Sequence, residues 1–234
     1  MEEFFRQNYN LLTQLVIILA AVAGLYSYRK YKQTAVRYFI YFLCYVVILE
    51  WVARYPHYFK TYGKFDIIEG TLFEKNYWFY AIFWRICGTL FFVFYYRKVI
   101  KSKIYRSLLK YAGTLFLLSS AIYILIHWSA FFKSSLFFVK LFSTGVILLC
   151  VVLYFIEVLK TDKVLVFYKS LNFYISAAIL IWWLIITPLM FFDIYSTTAD
   201  WNFVILKWQI KLFANILMYL TFTFALLWCK PKNL

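Results

Sequence analysis

Residues 97–132 read RKVIKSKIYRSLLK followed by YAGTLFLLSSAIYILIHWSAFF. The first part carries Arg97, Lys98, Lys101, Lys103, Arg106 and Lys110 and no acid. The second, Tyr111 to Phe132, has no charged side chain. A bilayer core takes about 20 mostly apolar residues in a helix, so this run is long enough to cross one. Lys and Arg collect at the cytoplasmic ends of such helices, which sets a direction as well as a span.

The same reading extends to both ends of the chain. Apolar runs occupy Gln7 to Tyr28, Val36 to Tyr55, Tyr77 to Tyr96, Leu136 to Leu159, Tyr168 to Ile194 and Phe203 to Cys229. With Tyr111 to Phe132 they predict an all-α, seven-transmembrane-helix bundle forming a single domain over the 234 residues. A hydrophobic content of 65% exceeds the roughly 45–50% of soluble domains, so the excess needs an apolar solvent. Pro56 is expected to stop the second run, and Thr187-Pro188 to kink the sixth. With only 6 Gly and 3 Pro, the chain does not look like a transporter built on broken helices.

The net charge of +15 would point to nucleic acid in a soluble protein. Here the bases flank apolar runs, so orientation and anionic lipid are the better reading, and no nucleic-acid partner is expected. One set of connections holds fifteen bases: Arg29, Lys30, Lys32 and Arg37, the six of 97–110, then Lys160, Lys163, Lys169, Lys230 and Lys232. The other side holds six: Arg6, Lys60, Lys64, Lys75, Lys133 and Lys207. Glu2, Glu3, Asp66, Glu69, Glu74, Asp193 and Asp200 also fall on that side. The expected topology therefore has the N-terminus outside and the C-terminus in the cytoplasm, in the cell inner (plasma) membrane. The start, Met-Glu-Glu-Phe, is acidic and no small-residue site follows the first run, so no cleaved signal peptide is expected. The segment from Arg97 to Lys110 fits a topology determinant, with anionic lipid at the cytoplasmic face or an acidic partner protein as further roles.

Charged groups within apolar runs are costly, and they mark function or structural pairing. They are Glu50, Arg54, Arg85, Lys140, Lys207 and Lys211. At the helical rise, Glu50 lies ~9 Å from Pro56, Arg85 ~12 Å from Tyr77 and Lys211 ~12 Å from Phe203. The natural pairing is Glu50 with Arg85 or Lys211. One acid cannot neutralise all these bases, so an outward-facing pocket for a small anion or carboxylate is one reading. The other is a structural Glu50–Arg85 pair, with the lysines snorkelling to headgroups. In the seventh run Lys207, Lys211, Asn215, Tyr219 and Thr223 recur every fourth residue. Such a polar stripe either bonds helix to helix or lines a ligand wall, and in the second reading Trp183 belongs to that wall while in the first it packs.

No metal or cofactor is expected. His57 and His127 could reach a metal only with Asp66 or Asp193, and no HExxH or paired-His spacing is present. The cysteines Cys44, Cys87, Cys150 and Cys229 fall in apolar runs without a CxxC and read as buried thiols. A lysine in the last helix with Trp182, Trp183 and Pro188 in the sixth resembles retinal-binding microbial rhodopsins in architecture. Those proteins carry an Asp four residues before the retinal lysine; here Lys207 precedes Lys211 and Phe203 precedes Lys207. The last helix, with NILMY from Asn215 and LLWCK ending at Lys230, resembles uncharacterised small seven-helix membrane proteins of Bacteroidota. That resemblance implies a sensory partner in a membrane and assigns no residue a role. The function expected is a sensor or receptor-like protein that binds a small anion and relays to a signalling partner. The alternatives are an anion channel or carrier, and a membrane-embedded lipid-modifying enzyme. No catalytic constellation favours the last.

Overall fold

The computed structural model describes residues 2–161, 167–195 and 201–230, with side chains described over 8–161, 167–191 and 204–230. Glu2, Glu3, Arg6, Lys163, Asp193, Asp200 and Lys232, which entered the orientation reading, lie outside the described side chains. The described chain is helical: α1 Glu2–Tyr26, α2 Tyr28–Tyr31, α3 Val36–Val52, α4 Tyr55–Thr61, α5 Tyr77–Phe79, α6 Cys87–Val99, α7 Lys103–Ile126, α8 Trp128–Lys133, α9 Phe137–Leu159, α10 Leu171–Tyr195 and α11 Trp201–Trp228. A π-helix, Tyr80–Ile86, joins α5 to α6. Seven stretches among the described residues are long and apolar enough to cross a membrane: Asn8–Tyr26, Val36–Thr61, Tyr77–Val99, Lys103–Ile126, Phe137–Leu159, Leu171–Phe191 and Val204–Trp228. Their outward faces stay apolar. Ile48 is 63% exposed, Leu118 62% and Leu184 61%, more than water would tolerate over whole helices. The chain is thus a multi-pass membrane protein.

It divides into two compact units, Met1–Val47 with Val158–Leu234, and Ile48–Glu157. In the first, α11 packs against α1 and α10. Small residues permit close approach: a Cβ on Gly24 would meet Ile40 at 3.2 Å. Phe39 sets its edge on Phe222 at 5.0 Å. The last carbonyls of α11 have no partner within their own helix. Residues around α2 supply them. Ser27 Oγ donates to Leu226 O at 3.1 Å, Lys30 Nζ to Leu227 O at 3.2 Å and Tyr31 Oη to Cys229 O at 2.6 Å. Placing a lysine at this end also favours the helix dipole. Tyr31 is 1% exposed, and burial pushes its phenol well above the usual range. Tyr31→Phe is expected to cost about 1–2 kcal/mol, read as an earlier unfolding midpoint in mixed micelles. That contribution is intact below the ordinary phenol value of about 10 and is lost as pH rises through the higher folded value. A variant midpoint equal to the parent's at neutral pH would discard this cap.

The second unit revises three boundaries. α3 ends at Val52, and Pro56 sits in the first turn of α4 rather than stopping the helix before it. Pro suits that turn because the amide hydrogen it lacks would be unbonded there anyway. The end of α3 is held by the long connection that follows: Asn76 Nδ2 donates to Ala53 O at 2.7 Å, and Tyr55 Oη to Phe73 O at 2.6 Å and Lys75 O at 3.0 Å. α7 starts at Lys103, so Lys103, Arg106 and Lys110 belong to a helix and not to a connection. Ser102 caps it, accepting from Tyr105 N. The apolar run expected to reach Phe132 breaks at His127, and α8 is separate. α6 and α7 are packed neighbours, where a Cβ on Gly113 would come within 3.0 Å of Val93 Cγ1. α9 joins them through Phe116–Phe142 and Tyr96–Tyr154 ring contacts at 5.5 and 5.9 Å.

Candidate functional site

The residues singled out from sequence fall into the two units. Glu50, Arg54 and Arg85 belong to Ile48–Glu157, and Lys207, Lys211, Asn215 and Trp183 to the other. Each group has its own local chemistry.

Because α3 ends at Val52, Glu50 lies in its last turn, and Arg54 follows one turn later as the residue capping α4. Glu50 is half-buried, and Tyr80 Oη donates to its Oε2 at 3.0 Å. Tyr80 opens the π-helix that also carries Arg85. The expected Glu50–Arg85 pair does not form. The carboxylate takes a phenol instead, and Arg85 Nη1 is buried with no hydrogen-bond partner. The wider winding of the π-helix, which fits an additional residue into the turn, sends its side chains in other directions than an α-helix would.

A buried hydroxyl chain fixes the far end of the π-helix. Thr89 Oγ1 donates to Arg85 O at 2.6 Å, and Ser143 Oγ lies 2.7 Å from Thr89 Oγ1. Since Thr89 spends its hydrogen on the carbonyl, Ser143 is the donor of the second bond. Both hydroxyls are essentially inaccessible, at 0% and 3% exposure. This chain ties α9 to the backbone of Arg85. Thr89→Val is expected to cost about 1 kcal/mol, the usual range for hydrogen bonds between membrane helices. The check is a double-mutant cycle with Ser143→Ala, where fully additive losses would dismiss the coupling.

In the other unit, Trp182 Nε1 donates to Asn215 Oδ1 at 2.7 Å, so the polar stripe of α11 is used at Asn215 to bond α10 to α11. Trp183 packs on a buried cluster of Ile186, Leu189, Met190 and Ala214. Tyr219 is buried, and Thr223 Oγ1 donates to Tyr219 O at 2.9 Å. Lys207 and Lys211 are half-buried. α10 continues through Pro188, with Thr187 Oγ1 bonded to Trp183 O at 2.6 Å.

Among the described residues no three His, Cys, Asp or Glu side chains come together as a metal site. His127 stacks on Tyr123 with 4.2 Å between ring centroids, and His57 is exposed. The cysteines depart from the expected uniform burial. Cys150 and Cys229 are buried, but Cys44 is half-buried and Cys87 exposed at the start of α6.

What Arg85 offers chemically is a half-buried guanidinium with one nitrogen, Nη1, shielded and unbonded. A planar guanidinium recognises carboxylates and other oxyanions through directed hydrogen bonds. The fold and this residue define the class: a multi-pass, all-helical membrane protein with a half-buried arginine in a membrane-spanning stretch. No family model, no curated protein and no solved structure matches the chain.

Proposed function

We propose that this chain is a small receptor-like membrane protein that binds a small anion, a carboxylate by preference, at Arg85. The observation that carries the reading is the buried Arg85 Nη1 without a partner. A charge at membrane depth costs about 2.5–3.5 kcal/mol, and a protein that bears this cost without pairing the charge gains when an anion supplies the partner. Arg54, one turn from Glu50, adds positive potential, and the Tyr80 bond keeps Glu50 from competing for Arg85. In this proposal the basic connections face the cytoplasm, the site opens outward from the cell inner membrane, and binding is relayed to a signalling partner. Lys207, Lys211, Asn215 and Trp183 are not needed for the anion contact.

The test is a thermal-shift titration of the full chain in neutral detergent with sodium benzoate, with sodium acetate and sodium phosphate as companions. Saturable stabilisation by benzoate, absent from Arg85→Met, is the expected result. No saturable shift with any of the three anions would end the proposal. Receptor and carrier separate in liposomes. Benzoate binding without benzoate flux is the receptor outcome, and flux that depends on Arg85 would replace it with the carrier.

A further inference from the structure

The basic residues that open α7 have a geometry of their own, independent of Arg85. At 100° per residue, Lys103, Arg106 and Lys110 fall within an arc of about 60° and rise over ~10 Å. All three are exposed, and among the described residues their side chains form no hydrogen bond or ion pair. One turn further on, within an arc of about 100° that also holds the bases, the exposed Thr114 donates its hydroxyl to Tyr111 O at 3.0 Å, and beyond it the face is exposed and apolar through Leu117 (41% exposed), Ala121 and Leu125 (70% exposed). Cationic residues thus stand above a strip of hydrocarbon on one helix face.

The surroundings raise the potential at this end. α6 and α7 are antiparallel neighbours in contact at Val93 and Gly113, so Arg97, Lys98 and Lys101 lie at the same level as the start of α7. The Arg97 Nε is buried without a hydrogen-bond partner. The buried Glu157 carboxylate accepts from the backbone N–H groups of Lys101 and Ser102. Residues 97–110 carry six bases and no acid of their own.

We infer that this face is a binding site for an anionic phospholipid. The phosphate sits among Lys103, Arg106 and Lys110, and an acyl chain lies along Leu117, Ala121 and Leu125. Charge complementarity names the headgroup, and the apolar strip beyond Thr114 names a lipid rather than a soluble phosphate or an acidic protein. A soluble anion would use the cations and ignore the strip. An acidic polypeptide would have to cover apolar surface that lies within the Lys103–Ile126 span.

The experiment uses the full chain, delipidated in neutral detergent and titrated with phosphatidylglycerol or phosphatidylcholine under native mass spectrometry. Three interfacial bases predict a preference for phosphatidylglycerol on the order of a hundredfold at low ionic strength, shrinking as salt is added. The K103Q/R106Q/K110Q variant is expected to bind both lipids alike. The K60Q/K64Q/K75Q variant, which removes as many bases elsewhere in the same unit, is expected to keep the preference. An undiminished preference in K103Q/R106Q/K110Q would overturn the inference. So would displacement of the lipid by equimolar glycerol phosphate or by a polyglutamate peptide, which would reassign the face to a soluble anion or to a protein.

Discussion

Arg85→Met is expected to make the protein more stable and to abolish its anion binding together. Removing a guanidinium whose buried Nη1 has no hydrogen-bond partner relieves a desolvation cost that goes unoffset there. Methionine is unbranched and apolar and can follow the path of the arginine stem, so it leaves little cavity. The gain should be about 2 kcal/mol or more, read as a later unfolding midpoint in mixed micelles without added anion. Benzoate affinity should fall by at least about a hundredfold, out of reach of the titration, the usual result of truncating one partner of a buried charge contact. Saturating benzoate should narrow the stability gap, because ligand that binds only the folded parent stabilises it by mass action. Arg85→Lys separates charge from geometry. It keeps the cation and loses the planar fork, so it should recover little of the carboxylate preference. A destabilised Met variant would mean that the guanidinium already has a partner and that the site is structural.

Glu157→Leu is expected to have the largest destabilising effect of any single change described here, about 3 kcal/mol. The carboxylate is 8% exposed and accepts from Lys101 N at 2.9 and 3.1 Å and from Ser102 N at 2.9 Å. These N–H groups stand at the entrance to α7, where an anion also complements the helix dipole. Leucine keeps the bulk and leaves both backbone donors without this acceptor. Ser102→Ala serves as the control. Its cap bond to Tyr105 N is 3.5 Å long, so its loss should cost about 0.5 kcal/mol, the low end for a cap. Equal effects of the two variants would show that the turn, not the carboxylate, holds the start of α7.

The sequence carried the helical architecture because hydropathy over some twenty residues is a strong, local signal. Each of the seven apolar runs corresponds to a helix long enough to span. Boundaries were less legible wherever charge and helix coincide. Lys103, Arg106 and Lys110 read as a connection because bases end apolar runs, yet Ser102 and the distant Glu157 satisfy the first turn and let α7 start there. No local pattern announces that a carboxylate more than fifty residues away will cap a helix. Pro56 was misplaced for a related reason. Proline signals either the end of one helix or the first turn of the next, and the contacts that hold the end of α3, from Asn76 to Ala53 O and from Tyr55 to Phe73 O and Lys75 O, come from a connection some twenty residues away.

The candidate site was legible in its membership and not in its pairing. A lone acid among several bases at membrane depth was visible in the chain. Glu50 takes Tyr80 rather than Arg85, and Tyr80 and Arg85 both belong to a π-helix whose seven residues, YAIFWRI, have nothing in their composition to distinguish them from an ordinary apolar helix. The Asn215 position in the polar stripe was legible as helix-to-helix bonding, and its bond to Trp182 joins α10 to α11.

Dipolar recoupling between protein labelled with nitrogen-15 at arginine and benzoate labelled with carbon-13 at the carboxylate tests the Arg85 contact most directly. Reconstituted parent protein should show dephasing of the carboxylate signal by guanidinium nitrogen, and Arg85→Met should show none. Absence of dephasing in the parent at saturating benzoate, or its persistence in the Met variant, would contradict an anion site built on Arg85.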